Sequence, residues 1–204
     1  MATIIDTIRS MAFDELNEVQ QKKAFDVMRE LDNHDTTPWW STERCEEAVE
    51  DLIQYGIQDA ETEWSGFASQ GDGASISTDT YINLETFLRK LKKWSAFRAL
   101  HRFIAEEEIN ARVLRTGARY SHKYTVYGNV EINYNIDPTA KQEEQRDALE
   151  DLLTDFIRDK SQELYDVLDK ENDYHNSDEA QKEAIVSNGY EFKVNDTGEV
   201  LSLA

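Results

Sequence analysis

The strongest periodic pattern in this 204-residue chain lies in its last third, after the dipeptide Asp137-Pro138. Apolar residues recur there every three or four positions, a spacing that predicts one long amphipathic helix. They are Leu149, Leu152, Leu153, Phe156, Ile157, Leu164, Val167 and Leu168. Aspartate followed by proline is typical of a helix N-cap and first turn, so the helix is expected to begin there. Such a helix buries its apolar stripe only if another layer packs against it.

Shorter helices are predicted behind four residues that favour the N-cap position. These are Asn17, Ser41, Asn83 and Ser177. The first is supported by Gln20, which completes a capping box. The first three helices are expected to end near Leu31, Gly56 and Ala105, and the apolar phase of the third is disturbed at Trp94-Ser95. The chain is therefore rich in amphipathic helices.

Strand patterns lie between and beyond these helices. An edge strand is predicted over residues 2–9, and three antiparallel hairpins over 60–82, 109–134 and 190–203. The first hairpin turns at the Asp-Gly pair Asp72-Gly73, a strong hairpin signal. We therefore predict one α+β domain over residues 1–204, in which antiparallel hairpins pack against several amphipathic helices. It divides into an acidic helical part (1–58), a β-rich centre (59–135) and a second acidic helical part (136–204).

The formal charge of −20 is unevenly distributed along the chain. Residues 1–70 carry 16 acids and 5 bases, and residues 136–204 carry 19 acids and 7 bases. Residues 71–135, with 7 acids and 10 bases, are mildly basic because of a run from Arg89 to Arg102. A field this negative repels nucleic acids and membrane surfaces and steers the chain toward basic partners. We expect no tight binding to nucleic acid and no membrane association.

The residue types that bind metals or form disulfides are sparse. The single cysteine, Cys45, excludes a disulfide framework. The four histidines lack zinc-site spacing, and the acids after Asp169 lack the glycine and glutamate of a calcium loop. From this spacing we expect no metal and no cofactor. No signal peptide or membrane span is recognisable, so we expect a cytoplasmic protein.

The turn of the first hairpin is the best candidate binding site. It consists of Ser69, Gln70, Gly71, Asp72 and Gly73. Glycines allow a positive φ and a close approach of backbone N–H groups to an anion, and Asp72 could bind a cation or act as a base. The alternative is a plain turn in which the aspartate caps its own backbone. No phosphate-binding P-loop is present, because no Gly-Lys-Ser/Thr follows.

Two aromatic groups are further candidates. One face of the second hairpin would carry Tyr120, His122 and Tyr124. These side chains would act as an acid–base group or a stacking platform for a ligand. The alternative is a half-buried aromatic cluster with a structural role. Trp39 and Trp40 would anchor a partner, since tryptophan is enriched in interface hot spots, or would serve as a core staple. No catalytic residue can be assigned from spacing.

Several motifs resemble a family of phage- and plasmid-encoded proteins. The most specific runs from Ser65 to Ala74 (S-G-F-A-S-Q-G-D-G-A), and others lie at Trp39-Trp40, 120–126 and 188–192. Ala68 replaces a tryptophan usual in the family. Some members carry a label that links them to toxin–antitoxin stability systems, so the resemblance implies a mobile-element origin and an intracellular setting.

Two functions follow as hypotheses. The first is a phage or mobile-element protein that binds and modulates a basic host or element-encoded protein, such as a nuclease, through an acidic surface. It would act as an anti-defence inhibitor, a nucleic-acid decoy or an antitoxin. The alternative is a small-molecule or nucleotide-binding protein, or a hydrolase, that uses the Gly71–Gly73 loop and His122. The first requires carboxylates aligned on an exposed face, and the second requires Asp72, His122 and basic residues in one cleft.

Overall fold

The computed structural model describes residues 8–32, 38–67, 71–117, 120–133 and 135–204. Within these residues it contains six α-helices and two antiparallel sheets, so the predicted α+β class is confirmed. The strands are β1 (Arg9–Ala12), β2 (Ala60–Ser65), β3 (Gly73–Thr78), β4 (Ile109–Arg115), β5 (Val126–Ile132), β6 (Glu191–Val194) and β7 (Val200–Leu203). The helices are α1 (Glu18–Asp32), α2 (Trp39–Ile53), α3 (Leu84–Lys90), α4 (His101–Ala105), α5 (Ala140–His175) and α6 (Asp178–Asn188).

The chain forms two compact units. Residues 1–40 and 170–204 make up one, the terminal unit, and residues 41–169 make up the other, the central unit. Each has its own sheet, in the order β1-β6-β7 and β2-β3-β4-β5. The prediction of one domain over residues 1–204 stays a prediction.

The terminal unit packs α1 and α6 around a three-stranded antiparallel sheet. Its core combines residues from both ends of the chain, including Phe13, Phe25, Ile185 and Phe192. The strand predicted at residues 2–9 lies mostly outside the described residues. β1 begins at Arg9, which pairs with Val194 of β6. Long-range strand pairing therefore decides where this element lies.

N-caps in the terminal unit follow the predicted local chemistry. The backbone N–H of Gln20 donates to Asn17 Oδ1 and that of Asn17 donates to Gln20 Oε1, which completes the capping box of α1. Ser177 Oγ accepts from the N–H of Ala180 at the start of α6. Both predicted caps are confirmed.

The central unit is built on the sheet β2-β3-β4-β5. β2 and β3 pair from Ala60 with Thr78 to Ser65 with Gly73, so the first predicted hairpin is confirmed. β4 pairs along its length with β5, from Ile109 with Ile132 to Arg115 with Val126. Alternate residues of β4 are buried, as its apolar–polar alternation predicts.

The long helix α5 lies against this sheet and contributes both apolar and polar contacts. Its buried residues in the central unit are Leu149, Leu153, Ile157, Ser161, Leu164 and Leu168. Thr154 Oγ1 accepts the N–H of Gly128, and Glu150 Oε2 accepts the N–H of Val130, at 2.8 and 3.0 Å. Ser161 Oγ accepts the N–H of Ile76 in β3 at 3.1 Å. The helix thus satisfies backbone donors that face it on two strands.

Two helix predictions were wrong in extent. α2 begins at Trp39 rather than after Ser41, which is fully buried in the first turn. α5 begins at Ala140, because the carbonyl of Thr139 accepts the first N–H bonds, from Gln142 and Glu143. In both cases contacts or hydrogen bonds outside the predicted capping residues decide where the helix begins.

The third predicted helix is interrupted. Asn83 caps α3 as expected, through the N–H of Thr86. The chain then leaves the helix at Lys92, which has a φ of +58°, and a 3-10 segment from Trp94 to Leu100 precedes α4. The predicted disturbance of the apolar phase at Trp94-Ser95 therefore marks a break.

Gly128 provides a test of how closely α5 lies on the sheet. A Cβ atom at this position would lie 3.0 Å from the carbonyl oxygen of Glu150 and from Cβ of Leu153. Since overpacking of this kind costs about 1–3 kcal/mol, we expect Gly128→Ala to lower the free energy of unfolding by that amount. Denaturant unfolding measures it. Gly117→Ala, where a Cβ meets nothing within 4 Å, should lower it far less.

Candidate functional site

Two loops of the central unit meet at a cleft of about 280 Å³. One loop precedes β3 and the other precedes β5, and α5 forms the third wall. The lining residues are Asp72, Gly73, Ala74, His122, Lys123, Tyr124, Ser161, Gln162 and Tyr165. The structure thus brings Asp72 and His122 into one cleft with Lys123 and Tyr124, the arrangement that the alternative hypothesis requires. Ser69 and Gln70 lie outside the described residues.

Glycines of the first loop allow the second loop to pack directly on it. A Cβ at Gly73 would lie 2.4 Å from Cβ of His122, and one at Gly71 would lie 2.4 Å from Cδ1 of Tyr120. Gly73 does not have a positive φ. Its role is close approach rather than the left-handed turn conformation considered for it from the sequence.

A polar network holds the second loop to the edge strand β2. Arg115 forms an ion pair with Glu63, and its guanidinium also donates to Ser121 Oγ at 3.1 Å and to the carbonyl of Tyr120 at 3.3 Å. Ser121 Oγ in turn donates to Glu63 Oε2 at 3.3 Å. Since Ser121 is buried, these bonds place the adjacent His122 at the cleft.

The predicted extended face of Tyr120, His122 and Tyr124 is wrong. Residues Lys123–Thr125 form a 3-10 turn, and β5 begins only at Val126. His122 Nδ1 accepts the N–H of Tyr124 at 3.1 Å and caps this turn. The imidazole therefore has a local structural partner that period-two alternation does not anticipate. In the neutral tautomer this bond leaves the proton on Nε2.

Two cationic side chains lie beside Tyr124, a residue that is 66% exposed. Lys123 Nζ lies 5.4 Å and Arg158 Cζ 5.7 Å from the ring centroid, within the range of cation–π attraction. Arg158 Nε also donates to the carbonyl of Val126. This end of the cleft is positive.

The end of the cleft at Tyr165, about 10 Å along α5 from Arg158, is acidic and aromatic. Burial, together with the carboxylates of Asp169, Asp72 and Asp166, raises the pKa of the Tyr165 phenol. Its ring stacks on Phe67 at 5.7 Å, and Phe67 contacts Trp64 at 5.4 Å. The cleft therefore combines negative charge near Tyr165 with positive charge near Tyr124.

The exposed side of α5 is a second candidate surface. The helix as a whole carries twelve acidic and five basic residues. Five exposed acids follow one another at every fourth position: Asp147, Asp151, Asp155, Asp159 and Glu163. We call this set the acidic row. The two ends pair with Arg146 and Lys160, whereas Asp151, Asp155 and Asp159 have no ion-pair partner among the described residues.

The two predicted anchor tryptophans have different surroundings in the terminal unit. Trp40 is buried and stacks on His175, with ring centroids 5.6 Å apart and planes at 11°. Trp39 is 72% exposed and contacts the same imidazole edge-on. Trp40 is thus a core residue, and Trp39 is the one that a partner can reach.

Some residues of the cleft were not identified from the sequence. Ser161 interrupts an otherwise apolar row of α5 at positions 149, 153 and 157, and this polar exception was a usable signal. Lys123 and Tyr165 of the cleft, and Arg158 beside it, carried no such signal, because only the packing of α5 on the loops brings them together.

Among the described residues, no cluster of three or more histidine, cysteine, aspartate or glutamate side chains has metal-binding geometry. In the same part of the chain, no helix is both long enough and apolar enough to cross a membrane.

Comparison with known proteins places the chain in a family. The model for the domain of unknown function DUF8835 matches residues 39–178, and the chain belongs to this family. The matched range contains both the cleft and the acidic row. No curated protein and no solved structure matches the chain. The resemblance to phage- and plasmid-encoded proteins stays a prediction.

Gly73→Ala tests the contact between the two loops. Because the added methyl group collides with the backbone-proximal Cβ of His122, we expect a loss of about 1–3 kcal/mol in the free energy of unfolding. The NMR signals of the His122 imidazole should shift as the loop moves. Asp72→Asn keeps the side-chain shape, so unfolding at neutral pH should change much less. Equal losses in the two variants would contradict the packing role of Gly73.

The Tyr165 phenol provides a pH test. Removal of a nearby negative charge favours phenolate, so Asp72→Asn should lower the pKa of Tyr165 toward its ordinary value of about 10. Because the folded-state pKa is raised, its stabilising contribution is present below about pH 10 and is lost as the pH rises through the raised value. Ultraviolet titration measures this, with Tyr165→Phe to identify the signal. An unchanged titration in Asp72→Asn would contradict the assignment.

Proposed function

We propose that this protein binds and modulates a basic protein through the acidic row of α5. The observation that supports the proposal is the alignment of five exposed carboxylates at every fourth residue from Asp147 to Glu163. With a rise of 1.5 Å per residue, the row is about 24 Å long. A row of this length suits an extended basic groove, such as that of a nuclease or another nucleic-acid-binding protein.

The spacing of the acidic row has an energetic cost. Like charges four residues apart destabilise a helix by about 0.2–0.5 kcal/mol per pair. Asp151, Asp155 and Asp159 form two such pairs without a compensating ion pair among the described residues. Since the helix is held by its packing on the sheet, it tolerates this repulsion, and a binding function accounts for it.

The expected contribution of the row is mainly kinetic. Exposed ion pairs contribute only about 0.2–1 kcal/mol each, so five of them give modest affinity by themselves. Complementary fields raise association rates by factors of about 10–1,000. Together with the net charge of −20, this favours partner capture and disfavours direct binding of nucleic acid by the protein itself.

In biological terms we propose a phage or mobile-element protein acting in the cytoplasm. A basic nuclease that presents its nucleic-acid groove to the acidic row would be blocked from its substrate. Such an activity would serve equally as anti-defence inhibition, as nucleic-acid decoy or as an antitoxin. The three differ in the partner rather than in the binding surface.

Neutralisation of the middle of the acidic row tests the proposal. The triple variant Asp151→Asn, Asp155→Asn, Asp159→Asn should capture less basic protein than the wild type from a lysate of the native host at about 50 mM salt. Raising the salt to about 500 mM should reduce capture by the wild type in the same way, because salt screens exposed charges. The free energy of unfolding of the triple variant should rise by about 0.8–2 kcal/mol, because all four like-charge pairs between Asp147 and Glu163 are removed. Capture, quantitative mass spectrometry and denaturant unfolding provide the measurements.

A matched control removes the same charge from another helix. Glu43→Gln, Glu46→Gln, Glu50→Gln neutralises three exposed acids of α2. If the acidic row is the binding surface, this control keeps the captured partner while the α5 variant loses it. Equal capture by both variants would exclude the row as the interface.

A further inference from the structure

One cation, Lys123, lines the cleft, and a second, Arg158, lies beside it at the ring of Tyr124. Elsewhere in the central unit, Arg115, Arg146 and Lys160 each form ion pairs with carboxylates. Lys123 and Arg158, like Lys90 and Arg112 of the same unit, form none within the described part of the chain. Lys123 and Arg158 both lie beside the ring of Tyr124. Two unpaired cations next to one cavity favour an anionic group of a ligand.

His122 adds a hydrogen-bond donor at the same end of the cleft. Its Nδ1 accepts the N–H of Tyr124, so the neutral imidazole carries its proton on Nε2. An N–H donor beside two cations suits a carboxylate, which accepts several hydrogen bonds at once. These groups define the anionic subsite.

The other end of the cleft favours a positive charge. Asp72 lines it, and Asp166 and Asp169 lie close enough to act on the Tyr165 phenol. The Tyr165 ring adds an aromatic wall, and aromatic faces attract ammonium groups. An anion would be repelled here, so a purely anionic ligand fits only half of the cleft.

The size of the cleft limits the ligand. At about 280 Å³ it lies just below the 300–1,000 Å³ typical of pockets for drug-sized molecules. It is therefore suited to a molecule of amino-acid size. The two charged ends then select a molecule with both an ammonium and a carboxylate group.

We propose that the cleft binds a free amino acid or a similar small zwitterion, with its ammonium at Asp72 and Tyr165 and its carboxylate at Lys123, His122 and Arg158. This site is separate from the acidic row and stands on different residues. Binding at the cleft involves no covalent step.

Calorimetric titration of the full-length protein with each of the twenty free L-amino acids tests this proposal. We expect saturable binding of at least one of them at millimolar concentration or below. Asp72→Asn and Lys123→Gln should each weaken it about tenfold or more, as expected for loss of a charge-assisted hydrogen bond. The control variants Asp79→Asn and Lys141→Gln remove the same charges at exposed positions outside the cleft and should bind like the wild type.

Two analogues of the amino acid that binds best assign the two ends. The carboxylic acid without the amino group should bind more weakly and be insensitive to Asp72→Asn. The amine without the carboxylate should bind more weakly and be insensitive to Lys123→Gln. Three outcomes would overturn the proposal. They are the absence of binding by any amino acid, an analogue without the amino group that binds as tightly as the amino acid itself, and binding that neither cleft substitution changes. Melting curves of every variant confirm that each one is folded.

Discussion

Hydrogen bonds from α5 side chains to strand backbone hold the central unit together. Glu150 and Thr154 accept N–H groups of β5, Arg158 donates to a carbonyl of the same strand, and Ser161 accepts an N–H of β3. Backbone donors buried without a partner would each cost about 1–3 kcal/mol, so this row of polar side chains sets the register of helix against sheet. The absence of a side chain at Gly128 permits the contact.

Both candidate functional surfaces depend on this contact. Once the inner side of α5 is tied to the sheet, Gln162 and Tyr165 on its flank become a wall of the cleft. The acidic row is then left on the exposed side, where its carboxylates contact solvent. One helix therefore supports a proposed protein-binding surface and a proposed small-molecule site, which separate substitutions can test independently.

Local signals predicted much of the fold correctly. The caps at Asn17, Asn83 and Ser177 are confirmed. They could be predicted because each is a hydrogen bond between residues only three positions apart in the sequence. The predicted helix start at Ser41 is wrong, since packing around Trp40, which stacks on His175 far along the chain, is invisible to local patterns. Alternation likewise failed before β5, where the His122 side chain caps a 3-10 turn.

The sequence by itself determined the α+β class, the hairpins, the amphipathic stripe of α5 and the excess of negative charge, because each follows from residue type and short-range spacing. Only the tertiary structure decided that the loop at Asp72 meets the loop at His122, and that Tyr165 closes the cleft between them. Those contacts join residues about 40 to 90 positions apart. Their positions result from backbone hydrogen bonding and close packing at glycines, which no periodicity in the sequence encodes.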